Sequence, residues 1–178
     1  MQMGKQLQGL STKSKAFICV CLLTISYLSN AVELPANIQA VLLTKVLAYE
    51  DNIDHSQISV FVVDNSEMYQ AFSRLKNTGT STKGKVKIQR VSQGDSLPTA
   101  TYSIVYINDE KYLSDALKYA EKHKAIIATG KTELVKRGAT IGTGTVKGKA
   151  KFYLNLTSSF TAQLKWKPKV LKIVTTFP

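Results

Sequence analysis

Two stretches of the chain carry the spacing that phosphate chemistry uses. Gly79, Gly84 and Lys85 match most of a phosphate-binding loop, in which backbone N–H groups cradle the anion and the lysine reaches it. The next residue is Val86, where that loop needs Ser or Thr to hold Mg²⁺. A helical pattern precedes the stretch and a strand pattern follows, the reverse of what would aim a helix N-terminus at the phosphate. Gly142-Thr143-Gly144 lacks the third glycine, the helix and the later acid of a dinucleotide site, and reads as a flexible turn. His55 and His123 have no carboxylate or cysteine at ligand spacing, so no metal site is expected. Ser158-Ser159 and the aspartates form no triad pattern. Asn155-Leu156-Thr157 fits a glycosylation acceptor, but a helix cap at Asn155 accounts for it equally. The residues therefore predict a protein that is not an enzyme, with no catalytic residue, cofactor or metal.

What remains is a row of cations. Lys147, Lys149, Lys151 and Tyr153 alternate with Val146, Gly148, Ala150, Phe152 and Leu154. A period of two gives a strand one basic and one apolar face. Trp166 follows between Lys165 and Lys167. An amphipathic aromatic among cations is a frequent interface composition. The same residues also fit a tryptophan that plugs the core beside solvated lysines. The charge is uneven: residues 32–121 hold 9 Lys/Arg and 11 Asp/Glu, whereas residues 122–178 hold 12 Lys/Arg and a single acid, Glu133. Such a bias points to an acidic partner surface or anionic lipid for an exported protein, rather than nucleic acid.

The elements that would position these residues can be read in order. Pro35 opens a helix with Ile38, Val41, Leu42, Val46 and Tyr49 as its apolar face. Residues 58–63 form a strand apolar enough to be buried on both faces. Asp64-Asn65-Ser66 offers cap chemistry for a helix carrying Met68, Phe72 and Leu75. Val86, Ile88 and Val91, then residues 102–107, suggest two more strands. Asn108 caps a helix whose buried face is Tyr112, Leu113, Ala116, Leu117 and Ala120. Residues 125–128 form a short strand closed by Thr129-Gly130. Helices alternating with apolar strands predict an α/β three-layer sandwich with a largely parallel sheet and a C-terminal antiparallel hairpin. Asn155 or Thr157 caps a short helix, residues 164–166 are extended, and Pro168 starts a final helical turn with Val170, Leu171 and Val174.

The first 31 residues read as a signal peptide. Lys5, Lys13 and Lys15 form a basic leader, residues 16–28 are a largely apolar run, and Ser29-Asn30-Ala31 supplies the small residues before a cleavage point. The run is shorter than the about 20 residues a membrane-spanning helix needs. Cleavage after Ala31 leaves residues 32–178 as a single domain. Both cysteines, Cys19 and Cys21, depart with the leader, so a packed core rather than disulfides must hold the fold.

The C-terminal stretch also carries a resemblance. Residues 149–156, with Phe152, Leu154, Asn155 and Leu156, followed by Leu164, Trp166, Pro168 and Leu171, resemble the closing strand, short helix and final segment of the YfiR family of periplasmic proteins. The helix ending at Tyr49-Glu50 and the strands at 58–64, 102–107 and 125–130 are similar to that family's in the same order. The resemblance implies a small periplasmic regulator that binds the periplasmic part of an inner-membrane diguanylate cyclase and holds it inactive, limiting cyclic-di-GMP and biofilm formation. It also implies a tendency to form homodimers. The family's redox-responsive disulfides are not carried over, since no cysteine follows Cys21.

On this basis Lys151, Tyr153, Asn155, Ser159 and Trp166 are the candidate partner-binding residues. The alternative is a periplasmic small-molecule binding protein, with its ligand at the carboxyl ends of the strands near Asp64, Asn108 and Gly130.

Overall fold

The computed structural model describes residues 33–78 and 86–178. The leader at 1–31 and the glycine-lysine stretch at 79–85 fall outside these residues. The described chain forms a seven-stranded sheet in the order β2-β1-β3-β4-β5-β6-β7. The strands are β1 (Ile58–Val63), β2 (Ile88–Gly94), β3 (Ile104–Tyr106), β4 (Ile126–Thr129), β5 (Ile141–Val146), β6 (Lys149–Asn155) and β7 (Val174–Phe177). The first five run parallel, β6 returns antiparallel to β5, and β7 pairs parallel to β6. The expected α/β sandwich is therefore present, its hairpin formed by β5 and β6. A further strand, β7, lies where the sequence pattern suggested only a helical turn.

One face is covered by α1 (Ala36–Leu47) and α2 (Ser66–Thr78). Leu43, Leu47, Met68 and Phe72 pack there against Val60, Val62, Ile104, Tyr106 and Ile126. The other face carries α3 (Leu113–His123), α4 (Thr132–Lys136) and α5 (Leu156–Thr161). Leu113, Ala116, Tyr119, Leu134 and Ala162 pack there against Phe61, Val63, Val105, Ile107 and Ile127. Strands sandwiched this way must be apolar on both sides, which is why β1 reads as an unbroken apolar run.

Several local expectations shift. In α1 the buried face is Gln39, Ala40, Leu43, Thr44, Val46 and Leu47, and Ile38 is exposed. This helix is apolar on nearly every side, so periodicity alone could not choose the face. Asp109, not Asn108, caps the next helix. Its carboxylate accepts from Lys111 N at 2.9 Å and starts a 3₁₀ turn, Glu110–Tyr112, that runs into α3. Gly142 and Gly144 are not a turn but the buried interior of β5. A Cβ on Gly142 would lie 2.5 Å from Val135 Cγ2, so glycine here lets α4 sit directly on the strand.

Lys147 also leaves the predicted row. Lys147 (φ 52°) and Gly148 (φ 72°) form the two-residue turn of the β5–β6 hairpin. Both residues in the left-handed region define the primed turn that suits the twist of paired strands. Residues 162–170 then pass from α5 to α6 (Pro168–Leu171), from one face of the sheet to the other. Along this strap Ala162 belongs to one core, Val170 to the other, and Leu164 packs against both.

Candidate functional site

The predicted partner-binding residues divide by environment. Register places Lys149, Lys151, Tyr153 and Asn155 on one face of β6, the face that carries α4 and α5. Lys149 and Lys151 are exposed. Tyr153 is buried at 8% exposure, with its ring stacked on Phe177 of β7 at 5.9 Å and close to Gly144 of β5. Asn155 and Ser159 are each 3% exposed. Trp166 is half-buried and packs against the core on the opposite face.

Three of these five residues form one hydrogen-bonded chain. Asn155 Oδ1 accepts from Ser158 N at 2.8 Å, the expected cap of α5. Asn155 Nδ2 donates to Val135 O at 3.0 Å. The Ser159 hydroxyl donates to Asn155 O at 2.7 Å and accepts the Trp166 indole N–H at 3.0 Å. Asn155, Ser159 and Trp166 thus hold α5 against β6 and the strap. Outward, α5 presents two apolar side chains beside Thr157 and Thr161. Leu156 is 43% exposed and Phe160, one turn later on the same side, is 85% exposed. Sequence patterning passed over both, because a six-residue helix is too short to show a periodic face.

The strap is tied down by a second buried group. Glu50 is 0% exposed, and its two carboxylate oxygens accept from Lys165 N and Ile53 N, each at 2.7 Å. Glu50 and Trp166 form an antiparallel bridge, and Lys167 pairs with Asp51 at 2.9 Å. Charge-assisted acceptance from backbone N–H groups is what makes a buried carboxylate tolerable. A shallow cavity of about 460 Å³ opens beside α5, lined by Lys118, Lys136, Arg137, Asn155, Ser158 and Thr161 among others.

A different cluster lies at the carboxyl ends of the parallel strands. Gln39, Tyr106, Thr129 and Thr143 are buried there, none more than 2% exposed. Gln39 Oε1 accepts from Tyr106 Oη at 3.0 Å and from Thr143 Oγ1 at 3.4 Å. Gln39 Nε2 donates to Leu34 O at 2.6 Å and to Glu33 Oε1 at 3.1 Å. Asn108 Nδ2 donates to the same Glu33 oxygen at 3.0 Å. Burial pushes the Tyr106 phenol well above its ordinary range, the Glu33 charge adds to this, and the Gly130 N–H opposes both. Asp64, at the end of β1, holds the left-handed region (φ 48°) and accepts from Tyr112 Oη at 3.1 Å. Asp64, Asn108 and Gly130 thus all lie at this end, though Asp64 bonds to the turn before α3 rather than to the cluster. Among the described residues no group of His, Cys, Asp and Glu could hold a metal ion, and no helix is long and apolar enough to cross a membrane.

No curated protein matches the sequence closely enough to count as a relative. Two solved structures are similar in fold. A conserved domain protein from Vibrio cholerae is 14% identical with a TM-score of 0.53. The ABC domain in complex with L-Trp from Streptococcus pneumoniae is 11% identical with a TM-score of 0.52. Each comparison covers 81% of this chain, which spans only 60% of either neighbour, and at these identities it shows the fold alone. A family model described as YfiR/HmsC-like matches residues 36–175, from the start of α1 into β7, and the chain belongs to that family of periplasmic regulatory proteins.

Proposed function

We propose that the protein is a non-catalytic periplasmic regulator that binds the periplasmic sensor region of an inner-membrane signalling protein, of the diguanylate cyclase kind, and holds it inactive. Such a protein would lower cyclic-di-GMP and restrain biofilm formation. Inhibition of this kind needs no chemistry, only tighter binding to one conformation of the sensor than to another. A preference of about 1.4 kcal/mol shifts the populations tenfold.

The observation that carries the reading is the composition of the C-terminal edge. Among the described residues, Val146, Leu156, Phe160, Leu171 and Ile173 are large, apolar and exposed, and only Ile38 elsewhere matches them. They fall in the third of the chain that holds the cationic excess. An exposed aromatic in a cation-rich segment fits an interface anchor with a charged rim. In this reading Phe160 and Leu156 meet the partner and Lys151 steers it. Tyr153, Asn155, Ser159 and Trp166 support that surface from beneath.

The test is a pull-down or two-hybrid assay against the periplasmic segment of the membrane protein encoded next to this one, with circular dichroism as the folding control. Phe160→Ala should weaken binding by about tenfold or more, as truncating an interface anchor does. Lys151→Glu should slow association, since rim charges act chiefly on the on-rate. If both folded variants bind and repress like the parent protein, this edge is not the partner surface.

A further inference from the structure

The carboxyl ends of β3, β4 and β5 gather more buried polar side chains than the fold needs there. Thr129 accepts from Lys131 N ahead of α4, but Gln39, Tyr106 and Thr143 cap no helix. Gln39, Tyr106 and Thr143 converge on one another, and Gln39 and Asn108 converge on one oxygen, that of the Glu33 carboxylate. We propose that this polar cluster is a binding site for a small carboxylate, and that Glu33 occupies it from within the same chain.

Three features carry the inference. The donors are built for an anion: Gln39 Nε2 and Asn108 Nδ2 both point at Glu33 Oε1, at 3.1 and 3.0 Å. Gln39 is 2% exposed and its amide is fixed by Tyr106, Thr143 and Leu34 O, so it is oriented whether or not a carboxylate is present. The space is kept by glycine: a Cβ on Gly130 would lie 2.3 Å from Glu33 Oε1 and 2.5 Å from Gln39 Oε1. Finally, Glu33 is the most replaceable member. It precedes α1, its residue is exposed, and it contributes to neither core. Parallel α/β sheets place ligands outside the carboxyl ends of their strands, where this cluster lies.

An internal group held at high effective concentration excludes a free ligand of the same chemistry until it is withdrawn. The site would therefore respond to the position of the residues before α1. This inference is independent of the partner surface, which sits on other elements.

The probe is sodium acetate, titrated against sodium chloride at matched ionic strength, with the side-chain amide signals of Gln39 and Asn108 followed by NMR. In Glu33→Ala, acetate should shift both amides saturably and chloride should not. The parent protein should need at least about tenfold more acetate for the same shift. Adding Asn108→Ala to Glu33→Ala should weaken acetate again by about tenfold, the loss expected when a hydrogen bond to a charged group is removed. If Glu33→Ala loses its fold, Glu33→Gln carries the test: it keeps an acceptor oxygen without the charge, so its acetate requirement should fall below that of the parent protein. Amides that acetate leaves unmoved in the folded variant, or equal affinity in variant and parent, would overturn the proposal and leave Glu33 a structural tether. A normal partner pull-down alongside either result keeps the two readings separate.

Discussion

Gly130 and Tyr106 show how tightly single residues set the polar end of the sheet. Glu33 can swing away from a new Cβ at Gly130, but the Gln39 amide is buried and held by three partners. Gly130→Ala should therefore destabilise the fold by about 1–3 kcal/mol, the range for overpacking a fixed site, read as a lower urea midpoint. Tyr106 sets a pH dependence. Its phenol is raised by burial, as is that of Tyr119, so the folded state favours the neutral form of both. That stabilisation is complete below the pKa of an unfolded tyrosine, about 10, and is lost as pH rises above it. Stability measured by denaturant should be insensitive to these groups at neutral pH and fall on the alkaline side. Tyr106→Phe should flatten part of that fall. None of this was legible in the sequence beyond the general location. The pattern marked Asn108 and Gly130 as strand-end positions, but Gln39 sat in an apolar helix with nothing to single it out, and Glu33 lies some seventy-five residues from the asparagine it meets.

At the scale of elements, the order of strands was legible because parallel strands buried on both faces leave long apolar runs. β7 was missed because Val174–Phe177 is an edge strand with two exposed threonines, which carries no such run. The basic row was half right. Lys149 and Lys151 do share a face, but Lys147 bends into the turn, where its backbone must be left-handed. That turn gives a direct prediction. Gly148→Ala places a Cβ on a residue at φ 72° with nothing within 4 Å, so the cost is conformational alone, about 1 kcal/mol. Thermal unfolding should show the loss without any change in the native spectrum. The Glu50 tie gives a larger one. Glu50→Ala removes the acceptor for Lys165 N and Ile53 N together; both donors are part-buried, so the loss should lie near the lower end of the about 1–3 kcal/mol that an unpartnered donor costs. Glu50→Gln keeps one acceptor oxygen and should recover part of the loss, while hydrogen exchange at Lys165 and Ile53 reports which bond survives.

For the whole molecule, charge and covalent chemistry decide how it behaves. The cationic excess of residues 122–178 should make partner binding weaken as salt rises, because exposed charges are screened beyond about 8–10 Å at physiological ionic strength. Surface plasmon resonance across a salt series should show the effect mainly in the association rate. No cysteine follows Cys21, so the exported form we propose, beginning at Val32, should melt at the same temperature with and without dithiothreitol. Mass spectrometry of that form should place its first residue at Val32.

The strap has a consequence for how the chain is made. One oxygen of Glu50 is met locally by Ile53 N, the other only by Lys165 N, 115 residues later, and β6 acquires its outer neighbour only when Val174–Phe177 emerges. A chain that appears from its N-terminus, from a ribosome or a translocation channel, therefore leaves one Glu50 carboxylate oxygen to water until Lys165 has emerged. The contacts that close the strap thus wait on residues far along the chain, and long-range closure of this kind is slow.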